Sequence, residues 1–166
     1  MSRDPQNPRV EKDGAAVRFP PPLLPLATIL LGVGLERLWP LAAELTLAVP
    51  ERYWIGGLVV AASLFVLGLW PVVMFRRSGQ SELPWRPTPL VLEDGPYRFT
   101  RNPMYLMMVL VCTGVAIILS NFWIFVLTPF CAWSLYHFAI APEEAYLERK
   151  FGEPYRRYKT RVRRWL

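Results

Sequence analysis

The chain has 166 residues, of which 53% are hydrophobic, and its 19 Lys and Arg outnumber 13 Asp and Glu for a net charge of +6. Apolar residues gather in long runs between charge-dense segments, a pattern that excludes an ordinary soluble domain, where polar residues interrupt every turn or two. Basic charge suits nucleic acid or an anionic bilayer, but here Lys and Arg flank apolar runs and leave little free surface for a duplex, so the expected partner is the membrane and not nucleic acid.

Residues 1–18 form a polar, Pro-rich segment without the short apolar stretch and small-residue cleavage site of a signal peptide. It is expected to be cytosolic, with residues 19–166 as one integral membrane domain. The first apolar run extends from Phe19 to Leu35 and opens on Pro20, Pro21 and Pro22, which a first helical turn tolerates because its N–H groups have no intrahelical partner. It meets Glu36 and Arg37, then continues as LWPLAAELTLAVP, which suits an interfacial turn or short helix. The second run, Tyr53 to Phe75, is 23 residues without a charge, long enough to cross a hydrocarbon layer of about 30 Å, and Arg76 and Arg77 stop it.

From Asn102 to Pro142 there are 41 residues without Asp, Glu, Lys or Arg. As one helix this stretch would be roughly 60 Å long, about twice a bilayer, so it must fold back. Ser120-Asn121 is the best hinge, which gives helices at 103–120 and 122–141, and Pro129 is placed to kink the second. The fold expected is therefore all-α, a polytopic membrane helix bundle with about four transmembrane helices, a cytosolic loop and C-terminal amphipathic helices. With four spans, every Lys and Arg except Arg37 and Arg52 falls on one side, which the positive-inside rule makes cytosolic. Three or five spans would split the basic loop 76–101 from the basic tail. These features fit a bacterial inner membrane with both termini in the cytosol.

The tail EEAYLERKFGEPYRRYKTRVRRWL sets Tyr146, Leu147, Phe151, Tyr155 and Tyr158 at helical spacing, interrupted by Gly152 and Pro154. One helix is expected to start near Glu143 with acid in its first turn, and a second near Pro154. Such a tail suits a membrane-surface helix with basic anchors, or one whose acidic start closes a pocket.

Two constellations can carry chemistry. Glu143 and Glu144 sit where the fourth span leaves the membrane. Adjacent carboxylates there are either a helix-start pair favoured by the dipole or the partners of a cationic ligand. In LVLEDGPYRFTRNPMY, residues 90–105, a turn at Asp94-Gly95-Pro96 leads to Arg101-Asn102-Pro103 at the start of the third span. The free N–H groups of that helix start suit an anionic group, but a capped helix with Tyr97 and Tyr105 in an interfacial belt explains the same residues. Cys112 and Cys131 lie inside apolar runs with no Cys or His at ligand spacing, so neither a disulfide nor any metal site is expected. The one histidine, His137, lies mid-run and suits a hydrogen bond within the bundle. A phosphate-binding glycine loop, a Ser-His-Asp set and βαβ alternation are all missing, and a Rossmann-type enzyme is thereby excluded.

GPYRFTRNPMY, followed by EEAYLERKFGEPYRRYKTRV, resembles the isoprenylcysteine carboxyl methyltransferase family, which is similar to the membrane phospholipid methyltransferases. The likeness covers residues 76–164. It implies S-adenosyl-L-methionine as methyl donor and a lipophilic or lipid acceptor, with no oligomeric state indicated. Carried over by position, Pro89, Leu90, Val91, Leu92, Tyr97, Asn102, Pro103, Met104 and Tyr105 would line the cofactor, with Glu143 as the acid facing it or the substrate. Glu143, Glu144 and Arg101 are the candidate catalytic residues. The cofactor's cationic groups suit Glu143 and aromatic faces, and its carboxylate suits Arg101 or helix-start N–H groups.

Two positions depart from the family pattern. Asn102 replaces a histidine and cannot titrate near neutrality, which leaves it a positioning role. Ala139 replaces an arginine that would clamp a substrate carboxylate, which weakens the case for a prenylcysteine acceptor. The alternatives are a phospholipid N-methyltransferase, an NADPH-dependent membrane reductase of the sterol reductase type, whose C-terminal motif is similar, and a non-enzymatic membrane scaffold.

Overall fold

The computed structural model describes residues 15, 17, 19–40, 48–78 and 91–166. Among them every regular element is helical: α1 (Leu23–Leu38), α2 (Val49–Arg77), α3 (Pro103–Leu119), α4 (Phe122–Phe151) and α5 (Glu153–Arg161), with a short 3₁₀ turn at Gly95–Arg98. The expected interfacial piece between the first two runs lies mostly outside the described residues, as do Pro89 and Leu90.

Two of these helices, α2 with 29 residues and α4 with 30, are long and apolar enough to cross a membrane. α1 and α3 are shorter, at 16 and 17 residues. Leu30, Trp54, Leu58, Phe65 and Phe130 each stand more than half exposed on the outer faces. A surface this apolar belongs in a bilayer, where exposure to lipid costs nothing.

The expected hairpin forms at the expected hinge. Ser120 adopts the left-handed conformation at φ 48° and ends α3. Asn121 caps α4 by accepting the Ile124 N–H at 2.9 Å, and its amide nitrogen donates to the Gly32 carbonyl of α1. A buried hydrogen bond in an apolar layer fixes the register of three helices at once. α3 packs along α2 and α4, and α1 along α4. The α2–α3 approach is close because glycines face each other: a Cβ on Gly56 would lie 2.7 Å from the Gly114 oxygen, and one on Gly114 2.9 Å from the Gly56 oxygen. Cys112, Ala116, Ile124, Leu135, Ala139 and Ile140 are buried where α1, α3 and α4 meet, joined by Ala15 and Val17, two apolar residues of the polar N-terminal segment.

One boundary differs from the sequence reading. The α-helical segment with Glu143 and Glu144 in its first turn does begin at Ala141, but it joins the preceding part of α4 without a break. A wide π-turn at Tyr136–Ile140 precedes it, closed by the Ala141 N–H on the Tyr136 carbonyl. The same device occurs in α2, where a π-turn at Leu64–Leu69 closes with the Trp70 N–H on the Phe65 carbonyl. Each π-turn ends two residues before a proline, Pro142 and Pro71. Proline lacks an N–H and its ring crowds the carbonyl four residues back; a locally widened turn relieves that crowding and lets the helix continue. The charge-free part of α4 ends at Pro142, and residues 143–151 carry Glu143, Glu144, Glu148, Arg149 and Lys150. That end of α4 therefore stands beyond the hydrocarbon layer.

Candidate functional site

The site lies at the end of the bundle where α3 begins and α4 leaves the apolar layer. Gly95 takes a positive φ of 57°, which lets the 3₁₀ turn fold against Trp70 and Met74 of α2. Tyr97 thereby points inward, and its ring meets Phe75 edge-on at 6.0 Å. Tyr155 and Tyr158 of α5 complete a buried aromatic group, with Val91 and Leu92 packed against it. The Tyr158 hydroxyl donates to the Tyr97 carbonyl at 2.8 Å. The tyrosine stripe of the tail is thus turned onto the loop, and Tyr97 and Tyr105 are buried rather than forming an interfacial belt.

α3 starts at Pro103, with Asn102 as its N-cap residue. The Tyr105 hydroxyl, one turn into α3, donates to Glu143 Oε2 at 2.8 Å. Glu143 is half-buried, and desolvation of its carboxyl outweighs that hydrogen bond. Its carboxyl rises from the ordinary 4.5 to about 7, with the charge of Glu144 adding to the rise. Burial, with Glu143 contributing, also pushes the Tyr97 hydroxyl well up, so Tyr97 stays neutral.

Glu144 lives in the opposite environment. Arg164 donates to both its oxygens, Nε to Oε1 at 3.0 Å and Nη2 to Oε2 at 2.9 Å. Arg101 Nη2 lies 3.3 Å from Glu144 Oε1. Burial alone would raise this carboxyl, but the hydrogen bonds from Arg164, the charges of Arg101 and Arg164, and the Asn102 side chain together hold it below the ordinary range. Two adjacent carboxyls are thereby separated in character, one inclined to keep its proton and one fixed as an anion.

Arg101 is more than nine-tenths buried at its side chain, yet its Nε and Nη1 have no hydrogen-bond partner. Native structures rarely leave buried donors unused, so these two are available to a ligand, an ion or water among the aromatic and acidic groups beside them. An arginine suits a carboxylate there.

The structure brings together Arg101, Asn102, Tyr105, Glu143 and Glu144, with Tyr97, Val91 and Leu92 alongside; Pro103 is buried at the helix start and Met104 half-buried next to it. Asn102 does not cap its helix with its side chain. Its amide donates to the Arg164 carbonyl at 3.1 Å, while its own N–H goes to Thr100 Oγ1. His137 does not bond within the bundle but stands outward between the Trp133 and Tyr136 rings.

Sequence reasoning passed over Thr100 and the last residues of the tail. Thr100 Oγ1 and Asn102 both donate to the Arg164 carbonyl, and the Arg101 N–H donates to the Arg163 carbonyl at 3.0 Å. The Arg164 guanidinium lies over the Tyr136 ring, 4.7 Å from its centroid. Nothing in a run of eight basic residues singles out the one whose backbone docks.

Residues 55–154 match the family model described as phospholipid methyltransferase. A protein-S-isoprenylcysteine O-methyltransferase from Schizosaccharomyces pombe is 33% identical over 73 residues, which is 44% of this chain and 31% of that protein. An uncharacterised protein from Haemophilus influenzae is 72% identical over 29 residues, 18% of this chain and 46% of that protein. The matches thus span less than half the length of either relative. No solved structure matches significantly.

Proposed function

The chain belongs to the phospholipid methyltransferase family, and from that premise we propose that it is an integral membrane methyltransferase that uses S-adenosyl-L-methionine to methylate a lipophilic acceptor. The observation that carries this reading is the cluster itself: the Tyr105–Glu143 hydrogen bond and the two unused donors of Arg101 meet at one end of the bundle.

The residues present fit the cofactor. Arg101 has donors to spare for a carboxylate, while Glu143 and the Tyr97 and Tyr105 rings suit cationic groups. Val91, Leu92, Asn102, Pro103 and Met104 line the same end, and Pro89 and Leu90 precede them in the chain. When bound, S-adenosyl-L-methionine supplies an electrophilic methyl group, whose transfer breaks its bond to sulfur and forms one to the acceptor nucleophile. The protein's own contribution is mainly orientation and exclusion of water. Arg101 holds the ligand, Tyr105 fixes Glu143, and the buried tyrosines close the cytosolic side. Asn102 positions and does not titrate.

A phospholipid amine is favoured over a prenylcysteine carboxylate as acceptor by two features. Glu143, with its carboxyl near neutrality, accepts the proton that a methylated amine must lose. Ala139 is fully buried and offers no cation to an acceptor carboxylate.

The four-span topology rests on charge: α1 to α4 each cross once, both termini and the loop 76–101 lie in the cytosol, and Arg37 and Arg52 lie outside. A bacterial inner membrane fits this arrangement.

The deciding experiment gives membranes methyl-labelled S-adenosyl-L-methionine and compares lipid extracts with and without the protein by mass spectrometry. Label in an extractable lipid is expected. Absence of label, together with calorimetric binding of NADPH instead, would overturn the reading in favour of a reductase.

A further inference from the structure

The last residues of the chain hold the site together from behind. The Arg163 and Arg164 carbonyls accept from the Arg101 N–H, Thr100 Oγ1 and Asn102 Nδ2, which pins the tail to the three residues preceding α3. Trp165 packs on the bundle core beside them. From that anchored position the Arg164 side chain reaches over Tyr136 and occupies both oxygens of Glu144.

The consequence falls on Arg101. Glu144 is a buried anion with two oxygens, and Arg101 is the other cation beside it. With Arg164 in place, Glu144 needs little from Arg101, which touches it with Nη2 alone at 3.3 Å and keeps Nε and Nη1 unused. Without the Arg164 guanidinium, Glu144 would turn to Arg101 for both oxygens, because a buried carboxylate with an unpaired oxygen is costly. Arg101 would then be consumed inside the protein.

We propose that Arg164 is a positioning residue that satisfies Glu144 so that Arg101 keeps two donors for a ligand carboxylate. This rests on the reading of the site as one for S-adenosyl-L-methionine. Arg164 does not touch the ligand and acts through Glu144. The tail contributes to binding by withholding a competitor.

The test is calorimetric binding in detergent with two probes, S-adenosyl-L-methionine and its decarboxylated analogue, to wild type, Arg164→Gln, Arg164→Lys and the double variant Arg164→Gln/Glu144→Gln. Arg164→Gln leaves the backbone carbonyls in place, and thermal melts report whether the fold is kept. The expected result is a loss of about tenfold or more for the carboxylate-bearing probe in Arg164→Gln. The decarboxylated probe should be unchanged, and the double variant should regain part of the lost affinity once the competing carboxylate is gone. Should Arg164→Gln fail to fold, Arg164→Lys carries the test, since it keeps the charge without the two-pronged grip; a smaller loss confined to the carboxylate-bearing probe is expected. Equal weakening of both probes, or unchanged binding in the variants, overturns the positioning role and leaves the site reading standing. A wild type that binds neither probe overturns both.

Discussion

At the residue scale, the two neighbouring glutamates carry the sharpest predictions because their environments differ. Glu143 is held above the ordinary carboxyl range and Glu144 below it. Between 4.5 and about 7 the folded protein keeps a proton on Glu143 that the unfolded chain has released. Glu143 therefore makes stability fall as pH rises through that window. Glu144 does the reverse: its contribution is present above its unfolded value and is lost as pH falls through its lowered folded one. Thermal melts should show wild type losing ground to Glu143→Gln as pH rises from 4.5 to about 7, and to Glu144→Gln as pH falls below 4.5. For activity, Tyr105→Phe removes a hydrogen bond to a carboxyl that largely keeps its proton, worth about 0.5–1.5 kcal/mol, so methyl transfer should drop roughly two- to tenfold. Glu143→Gln should lower it as well. Unchanged turnover in both variants would remove these residues from the site. Both glutamates and Tyr105 were legible only through the two motifs of the family resemblance, which the structure brings together, because their spacing alone fits a capped helix and a helix-start pair as well. Arg164 was not, because its importance comes from where its carbonyl docks, and composition carries no trace of that.

At the element scale, the α2–α3 contact is governed by the facing backbones of Gly56 and Gly114. Gly114→Ala puts a methyl group within 2.6 Å of the Val60 side chain and 2.9 Å of the Gly56 oxygen. Backbone cannot retreat cheaply, so a loss of about 1–3 kcal/mol is expected, read as a lowered melting temperature. Gly57, one residue along, meets nothing within 4 Å. Gly57→Ala should be neutral or stabilise by about 0.5–1 kcal/mol through helix propensity. Equal destabilisation by both would mean that the glycine contact does not set the helix spacing. The hairpin was legible because an uncharged stretch about twice a bilayer in length has to turn, and Ser120-Asn121 is its polar point. The unbroken run of α4 into the site was not, since Pro142 followed by two acids reads as a fresh helix start. The π-turns that carry both long helices past a proline leave no periodic signal.

At the scale of the whole molecule, the proposed four-span topology rests on the distribution of Lys and Arg. With Cys112 and Cys131 replaced, a thiol reagent that cannot cross the membrane should label Arg52→Cys in intact cells. It should reach Arg163→Cys only after permeabilisation. Labelling of both in intact cells would reverse or break the four-span arrangement. The family match covers the last three helices of the bundle together with the start of α5, and the site is built from the loop, the start of α3, the exit of α4 and the tail. The remaining helix, α1, serves chiefly to bury the hairpin, as when the Gly32 carbonyl receives Asn121.

Because α4 passes from the hinge to Glu143 and Glu144 as one rod, those carboxylates have no separate suspension. At 1.5 Å per residue its charge-free part, Phe122 to Pro142, measures about 32 Å, close to a hydrocarbon layer of about 30 Å. In a thinner layer that span outgrows its host and leans, and the lean depends on how thick the host is. The lipid that surrounds the protein is thus mechanically joined to the distance between Glu143 and Tyr105, and the bilayer acts as a setting of the site as well as its container.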